Sequence, residues 1–335
     1  MGTSPYRRTP RGDSINVKYA SSVVLFLLIL FLVTQYVGLF IVGGYIQGGL
    51  LQQTAAFQSS VSTSKSGAQQ PGNFTVYPLP SVAGVQLERP PLSEGMVFPF
   101  IVVALLLGTG LVLVLRRLKG VLLWRGLFFV IAAICLTIAF GRVVLQFGMP
   151  EWIASAVGIA LAFWKVFRPN FVVHNATELF MYGGLAVVLF PVLTVWNVLL
   201  LLGIVSVYDM CAVWGSKHMI KMADFQSDAN VFAGLMLPDT STSVGSLFKA
   251  MPRGSKLGDV AVLGGGDMGF SLLFASVMLK AYGLWAAMII PPFVAISLLM
   301  LLMFGKADRF YPAMPFITLS CIAGWMLFLG VTVLF

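Results

Sequence analysis

Nine apolar runs recur along this chain, most of them long enough to cross the roughly 30 Å hydrocarbon core of a bilayer as a helix. In lipid the backbone must satisfy its own hydrogen bonds, so each run is expected to be helical. The runs cover residues 21–45, 97–115, 121–144, 151–167, 177–190, 192–214, 258–280, 284–304 and 312–335. Composition agrees: 59% of residues are hydrophobic and 10% charged, against roughly 45–50% apolar in soluble domains. The expected fold class is therefore an all-α integral membrane protein of about nine transmembrane helices. A cytoplasmic tail (1–20) leads into six spans (21–214) that include an external loop (46–96), and a cytoplasmic loop (215–257) separates them from three further spans (258–335). The first run is longer than a signal-peptide core and is not closed by a small-residue cleavage site, so it is read as retained. Pro191 leaves little room between the fifth and sixth runs, which predicts a tight hairpin or a broken pair.

The net charge of +9 is explained by topology rather than by nucleic acid. Arg7, Arg8, Arg11 and Lys18 precede the first span, and Arg116, Arg117 and Lys119 follow the second. Lys165 and Arg168 end the fourth, Lys217, Lys221, Lys249, Arg253 and Lys256 lie between the sixth and seventh, and Lys306 and Arg309 lie between the eighth and ninth. All fall on one side, whereas Lys65, Arg89 and Lys280 are alone on the other. The positive-inside rule puts the N-terminus in the cytoplasm and the C-terminus outside, which requires an odd number of spans. Arg125 and Arg142, near the ends of the third run, are expected to snorkel. The loop over 46–96 reads as flexible, with Asn73-Phe-Thr75 as a weak glycosylation signal. Cys135, Cys211 and Cys321 lie in apolar runs and read as buried small side chains. Neither a metal-ligand spacing nor a cofactor motif is present.

Of the twelve acids, two lie within apolar runs: Asp209, in "IVSVYDMCAVW", and Asp267, in "VLGGGDMGFSLLF". The others, Glu178 included, read as loop or span-end residues. An ionised carboxylate at the centre of a bilayer costs about 2.5–3.5 kcal/mol even on insertion scales, so such residues usually face a cavity and function there. Counted at helical rise from Trp214 and from Gly258, the two acids lie about 8 and about 13 Å below the same membrane face. They can therefore meet, and two like charges in a low-dielectric site hold one proton between them. That arrangement activates a water for attack on an amide carbon and protonates the leaving nitrogen. Gly264, Gly265 and Gly266 would let backbone approach closely beside the acid, although Gly266 with Gly269 also suits plain helix packing. Tyr208 either orients the Asp209 carboxyl or fills space.

"YD" at 208–209, "GGGD" at 264–267 and "PAMP" at 312–315 together resemble the three signatures of the presenilin and signal peptide peptidase family of GxGD intramembrane aspartyl proteases. Order and span number match over about residues 21–335. The resemblance implies that Asp209 and Asp267 are catalytic, that Tyr208, Gly264 and Gly266 shape the site, and that Pro312, Ala313, Met314 and Pro315 form the substrate-binding element, with Met314 where the family carries leucine. The charge bias fits the presenilin branch, and the short tails fit a single-chain microbial, archaeal-like homologue in the plasma membrane. Its substrates would be single-span membrane proteins with an outside N-terminus, cleaved in the bilayer without a cofactor; homo-oligomers or accessory subunits are left open. Both prolines are expected to prevent regular helix at the start of the last span, and an unwound substrate strand to pair with backbone there and at the start of the seventh.

Other membrane proteases lack support: His174 and His218 are not in H-E-x-x-H, and there is no G-x-S-x-G. Prepilin peptidases share G-x-G-D but usually follow it with a lysine where this chain has Gly269. The alternative from another class is an ion channel or proton-coupled transporter relaying protons between the two acids. No inverted repeat supports it, and acids near one face suit hydrolysis better than a path across the bilayer.

Overall fold

A computed structural model describes residues 21–46, 77–82, 84–85, 94–118, 120–215, 231–238, 260–304 and 311–334. The expectations for the N-terminal tail, for Asn73 and for most of the 215–257 loop lie outside these residues. The described chain forms helices α1 (Ser21–Gly44), α2 (Glu94–Arg117), α3 (Val121–Gln146), α4 (Glu151–Phe167), α5 (Phe171–Leu189), α6 (Val195–Met210), α7 (Gly265–Tyr282), α8 (Leu284–Phe304) and α9 (Met314–Leu334). Two strands, β1 (Gly234–Pro238) and β2 (Val260–Gly264), pair antiparallel with Gly234 opposite Gly264 and Pro238 opposite Val260.

Seven of these helices are long and apolar enough to cross a membrane. α4, with 17 residues, is shorter, and α7 carries Asp267 and Lys280 in its end turns. The chain is thus mostly helical, consistent with the all-α expectation, and a short β1–β2 ribbon that was not expected is added to it. Both strands are five-residue apolar stretches, too short to carry a period of their own, and the second had merged with the apolar run behind it.

α1 packs on α5, α7 and α8; α6 lies against α7 and α9; α3 and α4 pair and lean on α5. α2 stands at the edge, touching α3 and α6, with nearly all of its residues turned outward. Where α5 crosses α3, a side chain on Gly184 would run into the Cys135 carbonyl, so only glycine permits that approach. The break between α5 and α6 is a short 3-10 turn, Phe190–Val192. Lys280 closes it by donating to the Pro191 and Leu193 carbonyls at 2.6 and 3.2 Å.

Three local expectations change. α5 begins at Phe171 rather than 177, with Asn170 as N-cap accepting from the Val173 N–H at 2.7 Å. Its polar first turns read as loop in sequence, yet they are buried against α4 and β1. Part of the 46–96 loop is docked: the Tyr77 N–H donates to Tyr45, Arg142 lies 3.7 Å over the Tyr77 ring, and Leu79 is buried. Cys211 is exposed in a π-helical turn after α6, unlike buried Cys135 and Cys321. Arg125 and Arg142 cap neighbouring helix ends, donating to Val166 and Gly44 carbonyls at 3.0 Å each.

Candidate active site

Three chain segments far apart in sequence converge where α6 ends and α7 and α9 begin. Asp209 is in the last turn of α6, half-buried, and Asp267 is in the first turn of α7, also half-buried. Asp209 accepts a hydrogen bond from the Met314 N–H, the first residue of α9, at 3.1 Å. A first-turn N–H has no intrahelical partner, so a carboxylate is the natural acceptor there. The same methionine reaches the other acid's neighbourhood, because a Cβ on Gly266 would lie 3.2 Å from Met314 Cε. The Asp267 carboxyl folds back on Gly264, where a Cβ would be 3.2 Å from its Oδ2. Met314 is thus shared between the two acids' surroundings.

The approach to Asp267 differs from the expectation. Residues 260–264 are strand, not helix, so a depth counted at helical rise from Gly258 does not hold. The chain enters the site extended at about 3.3 Å per residue and turns into α7 at the glycines. Gly265 is the tightest of these: a Cβ there would sit 2.6 Å from the Tyr182 hydroxyl and 3.0 Å from the Ala233 carbonyl, which accepts the Gly265 N–H. The proline expectation is corrected in part. Pro312 precedes the helix and is buried, with Ala313 beside it, but Pro315 lies within the first turn of α9, where its missing N–H breaks no bond. Tyr208 is half-buried one residue before Asp209, and adjacent helical residues point about 100° apart.

Several residues that fasten this convergence escaped the sequence reading. Ser206, one turn before Asp209, donates to Thr318 Oγ1 at 2.8 Å, and Thr318 donates to the Leu202 carbonyl, so α6 and α9 are tied beside the acid. Gln35 of α1, fully buried, donates to the Met268 carbonyl at 3.0 Å and to Ser271 Oγ at 2.7 Å, holding the first turns of α7. Polar residues inside apolar runs were the available signal, since such side chains face the bundle.

The largest omission is a buried ion pair. Lys165 of α4 and Glu178 of α5 are 3% and 0% exposed, with Nζ 2.6 Å from Oε1. Lys165 also donates to Thr177 Oγ1 at 3.2 Å. Glu178 is therefore a third acid inside the bundle, not a span-end residue, and Lys165 does not reach solvent. His174 and Asn175, on the same helix, bind the backbone of β1. Among the described residues no cluster of His, Cys, Asp and Glu could hold a metal ion.

Comparison with known proteins bears on the whole assembly. A family model described as signal-peptide peptidase, presenilin aspartyl protease matches residues 76–333. The chain is similar to two crystal structures, in C222 and P2 space groups, of a presenilin family intramembrane aspartate protease. Each gives a TM-score of 0.54 at 16% identity, covering 92% of this chain and 99% and 97% of theirs. At that identity the likeness speaks for the fold. No curated protein matches the chain.

Proposed function

Because the chain belongs to the signal-peptide peptidase and presenilin family of aspartyl proteases, and is a multi-pass membrane protein of that kind, we propose that Asp209 and Asp267 are its catalytic pair. The observation that carries this is the bridge made by Met314, whose N–H holds one acid while its side chain covers the glycine beside the other. Two carboxyls at such a spot hold a single proton between them. As a unit, the pair takes a proton from water as its oxygen attacks the amide carbon, supports the carbonyl oxygen, and returns a proton to the leaving nitrogen. Gly264 and Gly266 leave room for substrate backbone, and Tyr208 borders the pair.

The substrate is a transmembrane segment of a single-span protein, entering with its N-terminus outside, while the chain's own N-terminus and the 215–257 loop face the cytoplasm of a microbe. A helical substrate protects its amides, so it must unwind before hydrolysis. In an antiparallel ribbon alternate residues point both backbone groups at the partner or away from it. With Leu235 opposite Leu263 and Leu237 opposite Ala261 making the ladder, Val260, Val262 and Gly264 turn their backbone groups away from β1. β2 thus has an outer edge to which an unwound segment adds a strand. Pro312 and Ala313 lie against the same site and complete the substrate-binding element with Met314 and Pro315.

The test uses purified chain and a transmembrane peptide in liposomes. Cleavage lost in both Asp209→Asn and Asp267→Asn, with the fold retained, is the expected result; ion flux without cleavage would refute the assignment in favour of transport.

A further inference from the structure

Asn175 treats β1 as a neighbouring strand would. Its Nδ2 donates to the Met236 carbonyl at 2.7 Å and its Oδ1 accepts from the Met236 N–H at 3.0 Å. One amide thus reproduces the pair of bonds that a strand makes with an opposing residue. His174 binds one step earlier, with Nε2 2.8 Å from the Gly234 carbonyl. A carbonyl only accepts, so Nε2 carries the proton and Nδ1, 3.5 Å from Lys165 Nζ, is the acceptor. The Lys165–Glu178 pair thereby fixes the tautomer and direction of the ring. Gly234 starts the strand at φ 142°, a conformation side chains rarely adopt.

A two-stranded ribbon alone is marginal. Here α5 stands in for a third strand, closing the outer edge of β1 and leaving the outer edge of β2. β2 runs without interruption into α7 and Asp267. We infer that Asn175 and His174, backed by Lys165 and Glu178, are positioning residues that set the register of a substrate strand on β2, and so determine which peptide bond is cut. This rests on the reading that the substrate adds a strand to β2. A slip of one residue moves a peptide bond by about 3.3 Å and reverses the face of every side chain, so loosening β1 changes where the substrate is cut more than whether it is cut.

The experiment measures product masses, KM and kcat for the full chain with a transmembrane peptide. Asn175→Leu should raise KM about fivefold to tenfold and spread products over adjacent bonds, with kcat within about twofold. Asn175→Asp keeps the acceptor for the Met236 N–H and should fall between. Met236→Pro removes that N–H without touching α5; because it points away from β2, the ladder survives. The same spread of products is expected, and this variant decides the matter if Asn175→Leu does not fold. Wild-type product masses and KM in the folded variants overturn the inference. N-methylation of substrate amides separates the two readings: cleavage indifferent to it sinks strand addition itself, whereas cleavage sensitive to it with unaltered variant products sinks only the clamp.

Discussion

Two groups of ionisable side chains lie inside this bundle, and they are built on opposite rules. Lys165 and Glu178 are opposite charges in direct contact, sealed from solvent, with Thr177 as a further partner of the lysine. Asp209 and Asp267 are like charges at the meeting point of three helix ends, half-buried, with a backbone N–H as the partner of one. Neutralisation suits a group that must hold still, because each charge of a contact pair favours the charged form of the other. Uncompensated acids that keep some access to water suit a group that must pass protons on. The difference teaches that depth alone does not separate the two groups; the sign of each acid's neighbour does.

The strongest way to break this comparison is to neutralise one member of each group. Asp209→Asn or Asp267→Asn should lower cleavage of a transmembrane peptide by about 10⁴-fold or more while thermal unfolding in detergent stays near wild type. Retention of even a few per cent of activity by either would remove the distinction. Lys165→Met should do the reverse, lowering stability by about 3–5 kcal/mol because Glu178 is left charged and buried. Adding Glu178→Leu should restore most of that loss, as read from the unfolding midpoint; a double variant no more stable than the single would show that the two are not coupled.

Gly265→Ala sharpens the link between the groups, since its methyl meets the Tyr182 hydroxyl from the helix that carries Glu178. A loss of about 1–3 kcal/mol is expected, partly recovered with Tyr182→Phe, and activity should fall and recover in parallel. The smallest effects belong to the prolines before and within α9. Pro312→Leu, outside the helix, should reduce turnover, whereas Pro315→Leu should change stability by no more than about 0.5 kcal/mol. Equal losses from both in a peptide-cleavage assay would restore the view that both prolines keep this segment unwound.

The helical framework was legible because long apolar runs have one solution in lipid, and the elements that carry Asp209, Asp267 and Met314 were found from their runs and signatures. What stayed hidden depends on partners distant in sequence. His174 and Asn175 look like a loop and Thr177 and Glu178 like a span end when read locally; all become interior helix because α4 supplies Lys165 and β1 supplies backbone. β2 looked like the start of a span because Val-Ala-Val-Leu is as apolar as the helix it leads into. Gln35, beside Thr34, and Ser271, one turn after Asp267, carry no local sign of what they hold.

The sparse packing of α2 ties the protein to its surroundings. At 24 residues it is about 36 Å long, more than a typical hydrocarbon slab is thick, and with few neighbours among the described residues its tilt is left to the annular lipids. Acyl-chain length thus governs the inclination of the helix that borders α6, and turnover measured in thin and thick phosphatidylcholine vesicles would report how far the bilayer itself acts as part of this enzyme.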